Sequence, residues 1–326
     1  MKRVLVIGAS GFIGSAIVEQ LQNDPGFEVI PSGRAKPKAS TGAWIRYRSI
    51  ELANPEGFAA AFQGCDAIVN CARFPAGEAR NRKIMGDIID AAKRAGAKTL
   101  IHFSSIAVYG SATGEVREET RALSPVNSYG IDKTAAESVC GTKAGAGLNI
   151  VILRPTLVYG NGGQEWAERY IDALQRGNLK YLVRNGDGIA NLVYVKDVAK
   201  FCSDLLQASL PQLSTIIVNG SDLVRFNEYF SLIGHFFSGV SLERADISKW
   251  KWNVRRQFLR GLRRIARAVP MVSRAINFKG VIFIDESYNA YSGTARYLID
   301  EARRFGFKPV YTVFKGLEDM ARTRVR

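Results

Sequence analysis

A chain of 326 residues, 47% of them hydrophobic, can bury a sizeable core as one large domain or two intimate ones. Its net charge of +15 favours anionic partners, while two histidines and four cysteines (Cys65, Cys71, Cys140, Cys202) without CxxC or metal-ligand spacing argue against a metal site. The apolar run Val4–Ile7 ends at Gly8, far short of an export or membrane-spanning segment, so a reduced, cytoplasmic protein is expected.

Lys2–Ile7 reads as a buried parallel strand, Gly11–Leu21 as a helix and Phe27–Ile30 as a second strand. Trp44–Tyr47 is read as a short third strand and Ala67–Cys71 as a central one. Ile84–Ala95 has helical periodicity and stops at Gly96. Thr99–Phe103 is a strand, Ser128–Cys140 a helix and Asn149–Leu153 a further strand. This alternation predicts an α/β fold, a doubly wound parallel (Rossmann) sheet with ligands at the C-terminal ends of its strands. After Arg154-Pro155 the rhythm loosens. Glu165–Gln175 and Val195–Leu206 look helical, Ile216–Val218 is a strand, and Gly160–Gly163 and Asn185–Gly188 are turns. The expected organisation is a dinucleotide-binding domain over 1–155. A smaller, interleaved substrate region covers 156–326, with residues around 190–220 returning to the Rossmann sheet.

Gly8-Ala-Ser-Gly-Phe-Ile-Gly14 follows the first strand and opens a helix. Gly8 suits the tight turn, Gly11 a close approach of backbone to pyrophosphate, and Gly14 close helix–strand packing. Ser10, Phe12 and Ile13 complete the loop whose N–H groups would face the phosphates. At the end of the second strand, Val29-Ile-Pro-Ser-Gly-Arg34 puts Gly33 where an NAD site usually has an acid, and Arg34 follows. An arginine suits a 2′-phosphate. NADP is therefore the expected cofactor, with NAD the alternative and Lys36 a helper.

Tyr129 and Lys133 stand four apart and share one helix face. A free phenol titrates near pH ~10, and a neighbouring ammonium favours the phenolate, so the pair suits proton transfer beside a hydride carrier.

These pieces, in order, resemble the extended short-chain dehydrogenase/reductase family, which includes NAD-dependent epimerases and dehydratases. The resemblance rests on Gly8–Gly14, Asn70-Cys-Ala72, Phe103-Ser-Ser-Ile-Ala-Val-Tyr-Gly110 and Tyr129-Gly-Ile-Asp-Lys133. It continues through Arg154-Pro-Thr-Leu-Val-Tyr-Gly160, Asn191-Leu-Val-Tyr-Val-Lys-Asp197 and Phe305-Gly-Phe-Lys-Pro309 with Gly316-Leu317. It implies Tyr129 as acid/base, Lys133 on the nicotinamide ribose, and Ser105 on the reacting oxygen with Ser104 as its second. Asn70, Ala72 and Pro155 would line the cofactor, and Glu51-Leu52 would sit by the adenine. Arg73 and Thr156 would touch substrate, while His102 is read as a satisfied core residue. Ile106-Ala107 stand where a 4,6-dehydratase carries an Asp-Glu pair, which argues against that activity. A homodimer through the Tyr129 helix is implied as well.

The implied activity is oxidoreductase or epimerase chemistry at a hydroxyl or keto carbon, most often of a nucleotide-sugar. Ala190-Asn191 replace a frequent Arg-Asp pair, removing a guanidinium from the diphosphate region. A reductase of a sterol-like alcohol, a flavanone-type ketone or a lipid-linked sugar is the alternative, and a non-catalytic cofactor-sensing module a second one. From Ile247 to Ile284 the chain carries ten basic residues and no acidic one. Phe258, Leu259, Leu262, Ile265, Ala266 and Val269 there follow helical spacing. The segment is read either as a packed surface helix or as a peripheral contact with an anionic membrane. No nucleic-acid motif accompanies the charge, so a nucleic-acid partner is not expected.

Overall fold

The computed structural model describes residues 1–34, 42–119, 123–176, 181–183, 187–239, 243–245 and 293–324. Lys36 and the basic segment 249–279 lie outside the described residues. The chain divides into two units. The first comprises Met1–Val158, Val193–Ser221 and Tyr297–Tyr311; the second comprises Tyr159–Leu192, Asp222–Arg296 and Thr312–Arg326.

The first unit is built on seven parallel strands: β1 (Lys2–Ile7), β2 (Phe27–Gly33), β3 (Arg48–Ser49), β4 (Ala67–Asn70), β5 (Thr99–Phe103), β6 (Asn149–Pro155) and β7 (Leu213–Val218). Their spatial order is β7-β6-β5-β4-β1-β2-β3, with Val4 opposite both Val29 and Ala67. The order reverses between β1 and β4, which is where ligands bind in sheets of this kind. Alternation along β1 divides the core. Val4 and Val6 pack with helices α1 (Phe12–Gln22) and α5 (Val195–Gln207) on one face. Leu5 and Ile7 pack with α2 (Glu56–Phe62), α3 (Glu78–Arg94) and α4 (Ser128–Lys143) on the other. Both faces being covered explains why the strands are continuous apolar runs.

Several strands and helices run a few residues beyond the sequence reading, and two departures are larger. Trp44–Tyr47 is not a strand. Gly42–Arg46 forms a 3₁₀ turn, and the third strand is Arg48–Ser49. The aromatic content reads as strand, but Trp44 and Tyr47 stack at 6.4 Å, the three-residue spacing that a 3₁₀ turn brings together. Helix α3 starts at Glu78, six residues before its apolar periodicity. Its first turns are polar and are held by local pairs, Glu78–Arg82 and Lys83–Asp87, both at 2.8 Å.

The second unit has an aromatic core. Tyr159, Tyr170, Tyr229 and Phe230 are buried, Tyr170 and Phe230 lie 4.8 Å apart, and the Tyr229 hydroxyl donates to the Trp166 carbonyl. Glu165–Gln175 splits into a π-turn, Gln164–Glu168, and an α-helix, Arg169–Gln175. Gly316, on the helix Val313–Arg324, abuts the Tyr159 ring so closely that any side chain there would clash. Among the described residues no helix is long and apolar enough to cross a membrane.

One buried ion pair ties three elements of the first unit together. Arg154 on β6 donates to both Glu137 oxygens on α4, at 3.0 and 2.6 Å, and to the Tyr109 hydroxyl at 2.6 Å. The side chains of Arg154 and Glu137 are 7% and 4% exposed. Burial opposes the Arg154 charge, yet Glu137 and Tyr109 outweigh it and its pKa rises. Removing one partner of such a pair strands the other, whereas replacing both by apolar groups is far milder. Glu137→Ala should therefore lose about 3–5 kcal/mol in urea unfolding, and Glu137→Leu with Arg154→Met much less. A single-variant loss below ~1 kcal/mol would show that the pair does not secure α4.

Candidate active site

The glycine turn after β1 is shaped by close contacts. Gly8 has φ +79°, and a Cβ there would lie 2.8 Å from the Ala72 nitrogen. A Cβ on Gly14 would lie 2.2 Å from the Gly8 carbonyl oxygen. Gly11 caps α1 with no side-chain hydrogen bond, so the first N–H groups of the helix face outward with Ser10, Phe12 and Ile13 around them. Ala72 follows β4, the neighbour of β1, and donates its N–H to Asn70 Oδ1 at 3.2 Å.

At the end of β2, Ser32 is fully buried, and its hydroxyl has no partner among the described residues. The same holds for the Tyr47 hydroxyl. Gly33 leaves a gap between them: a Cβ there would stand 3.6 Å from the Tyr47 hydroxyl and 4.0 Å from that of Ser10. Arg34 and Glu51 are exposed and Leu52 half-buried. The cradle of missing side chains and the orphaned hydroxyls fit a dinucleotide, with its pyrophosphate on α1 and its adenosine toward β2.

Ser105 leaves β5 in extended conformation and its hydroxyl accepts from the Ala107 N–H at 3.1 Å, capping the 3₁₀ turn Ile106–Tyr109. Asn127 caps α4 by accepting from the Gly130 N–H at 2.8 Å. Gly130 lies against that 3₁₀ turn, so the first turn of α4, with Tyr129, is delivered beside Ser105. Lys133, one turn on, donates to the Phe103 carbonyl at 2.6 Å. Its ammonium sits 5.9 Å from the Tyr129 ring centre, and the Arg73 guanidinium sits 5.4 Å from it. Burial raises the Tyr129 pKa, while the Ser105 hydroxyl and the Arg73 charge pull it down. Burial lowers Lys133 to about 8; Cys71 and Glu137 oppose this and Arg73 adds to it.

Ser104 is buried with its hydroxyl unpartnered among the described residues, and Pro155 is buried at the end of β6. Thr156 is also buried, and its hydroxyl bonds to Asn219 at 2.9 Å rather than standing open. Asn70 is fully buried and braces Ala72 and His102 instead of lining a cavity. With the Asn70 carbonyl taken by Ala72, its NH₂ donates to His102 Nδ1 at 3.1 Å. That leaves the proton on Nε2, which has no partner among the described residues. His102 is thus a core residue only half satisfied. Burial, then the Lys133 charge, hold its pKa well below the ordinary value.

Three residues of this region escape sequence reasoning. Asn81 donates to the carbonyls of Pro75 and Gly77, at 2.9 and 2.8 Å. Asp132 accepts from the Gly77 N–H at 3.1 Å. Glu137 is the buried partner of Arg154. Only Glu137 left a signal, as an acid following Ala135-Ala136 on a helix face that turns inward.

The depressed Lys133 pKa has a stability consequence. Between about 8 and the ordinary 10.5 the unfolded chain holds a proton that the folded one has lost, so stability gains with pH there. Below that window the full cost of the buried charge stands. The unfolding free energy of the wild type minus that of Lys133→Met should therefore climb between about pH 8 and about pH 10. A flat difference across that window in urea titrations would contradict a buried, charge-penalised lysine.

Residues 4–218 match the family model described as NAD dependent epimerase/dehydratase family. The uncharacterized UDP-glucose epimerase YtcB of Bacillus subtilis (strain 168) is 28% identical over 291 residues, covering 76% of this chain and 90% of that protein. An Arabidopsis thaliana 3beta-hydroxysteroid-dehydrogenase/decarboxylase, isoform 2, is 23% identical over 277 residues, covering 74% of this chain and 48% of its own length. The chain thus spans about half of that relative. The crystal structure of UDP-glucuronic acid 4-epimerase from Bacillus cereus with NAD superposes with a TM-score of 0.72 at 18% identity, covering 99% of this chain and all of that one. With the family model spanning the sheet, the glycine turn and the Tyr129 helix, the chain belongs to the NAD dependent epimerase/dehydratase family, within the extended short-chain dehydrogenases/reductases.

Proposed function

We propose that the protein is an NADP(H)-using epimerase of a nucleotide-sugar, working at a carbinol carbon through Tyr129, Ser105 and Lys133. The observation that carries this reading is the delivery of Tyr129 beside Ser105, with Lys133 anchored on the Phe103 carbonyl at the end of β5. The bound nicotinamide would supply or accept the hydride. Tyr129 takes the hydroxyl proton at its phenolic oxygen, or returns it. Ser105 holds the reacting oxygen, its own hydroxyl fixed by the Ala107 N–H. Lys133 would orient the ribose, while Ser105 and Arg73 favour the phenolate. The nucleotide-sugar assignment draws on YtcB and on the epimerase neighbour.

NADP is favoured over NAD by Gly33 and Arg34 and by the hydroxyls of Ser32 and Tyr47, unpartnered among the described residues, which suit a 2′-phosphate better than a bare ribose. The alternative is a net reductase or dehydrogenase of a non-nucleotide alcohol. A specific observation supports it: Ala190 is buried, and Asn191 spends its amide on the Ala295 carbonyl at 2.9 Å, so neither of these two residues offers a diphosphate the guanidinium of the frequent Arg-Asp pair. The sterol dehydrogenase relative points the same way.

A panel of nucleotide-sugars and hydroxy-ketones, followed at the nicotinamide absorbance with product analysis, separates the two. Epimerised product without net cofactor consumption is expected; stoichiometric consumption would establish the reductase instead. In the same experiment the binding isotherm for NADP should be at least ~10-fold tighter than that for NAD, the worth of one charge-assisted contact. Tighter NAD binding would overturn the cofactor assignment.

A further inference from the structure

Arg73 follows the end of β4 and projects over the ring of Tyr129, 5.4 Å from its centre. The side chain is exposed, and among the described residues no carboxylate pairs with it. Its backbone is not free to wander. Ala72 before it is hydrogen-bonded to Asn70. Phe74 after it is buried and stacks on His102 at 6.1 Å. Beyond, Asn81 and Asp132 pin Pro75 and Gly77. The guanidinium therefore starts from a braced backbone.

It borders a small cavity of about 70 Å³ lined also by Phe74, Asn81, Tyr129, Asp132 and Lys133. Two basic groups face this space against one carboxylate, Asp132, which already accepts the Gly77 N–H. The balance attracts an anion. A guanidinium offers a planar fork of donors suited to a carboxylate, which Lys133, committed to Phe103, does not. The buried Arg154, by contrast, is neutralised within the fold by Glu137.

We propose that Arg73 is a specificity-determining residue that binds a carboxylate carried by the substrate close to the carbinol that Tyr129 serves. The preferred substrate is then an acidic sugar rather than its neutral counterpart. The inference rests on the proposed nucleotide-sugar reading, and it is testable apart from it.

The test uses the full chain with saturating cofactor and two matched pairs of probes: UDP-glucuronic acid against UDP-glucose, and free glucuronate against glucose. Wild type should bind the acidic member of a pair at least ~10-fold more tightly, a preference that Arg73→Gln reduces below ~3-fold and Arg73→Lys restores in part. Equal binding of both UDP-sugars overturns the inference and leaves the nucleotide-sugar reading standing. If neither UDP-sugar binds but glucuronate does so in an Arg73-dependent way, the nucleotide reading fails and the inference holds. No Arg73-dependent preference in either pair overturns it. A residue that only tunes Tyr129 would shift the pH profile of turnover equally for the acidic and neutral sugars and leave discrimination unchanged, which also overturns the proposal.

Discussion

Gly130 and the Ala107 carbonyl are packed so closely that a Cβ on Gly130 would lie 2.5 Å from that oxygen. This contact lets the start of α4 settle on the 3₁₀ turn after β5, and the geometry of the site descends from it. Tyr129 and Ser105 meet because their backbones do. Beneath the contact, Arg154 joins the same helix, through Glu137, to the same turn, through Tyr109. The turn, the helix and β6 are thus held as one body below Tyr129 and Ser105.

That arrangement sets an electrostatic tension. Burial raises the Tyr129 pKa and lowers that of Lys133, moving both groups toward their neutral forms. Ser105 and Arg73 act against this at the phenol, and Glu137 acts against it at the lysine. The acid that braces the helix therefore also supports the charge of the lysine one turn before it. Glu137 thus bears both on the anchoring of the helix and on the charge of Lys133, and the Cys71 thiol, pushed up by burial, stays protonated beside them.

The sheet is legible in the sequence because its strands are buried on both faces and must be continuous apolar runs; β1, β4 and β5 each stand out for that reason. The glycine turn is legible because close approach leaves no substitute for glycine at Gly8 and Gly14. Partner-dependent features are not legible. Trp44 and Tyr47 carry strand propensity but use their rings against each other. The polar first turns of α3 show no apolar period, since they are held by ion pairs and by Asn81. Asn70 sits in a cofactor motif, but its amide turns to Ala72 and His102, a choice made by neighbours 2 and 32 residues away. Ser105 works both as the cap of a turn and as a neighbour of the phenol, and the sequence offers those as competing readings.

The central claim is that α4 delivers Tyr129 as the proton-transferring group. The most direct measurement is the single-turnover rate of nicotinamide absorbance change in wild type and Tyr129→Phe, with cofactor affinity measured alongside. Loss of a positioned acid/base predicts a fall of about 10²- to 10⁴-fold with cofactor binding unchanged. A Tyr129→Phe rate within about threefold of wild type would contradict the account.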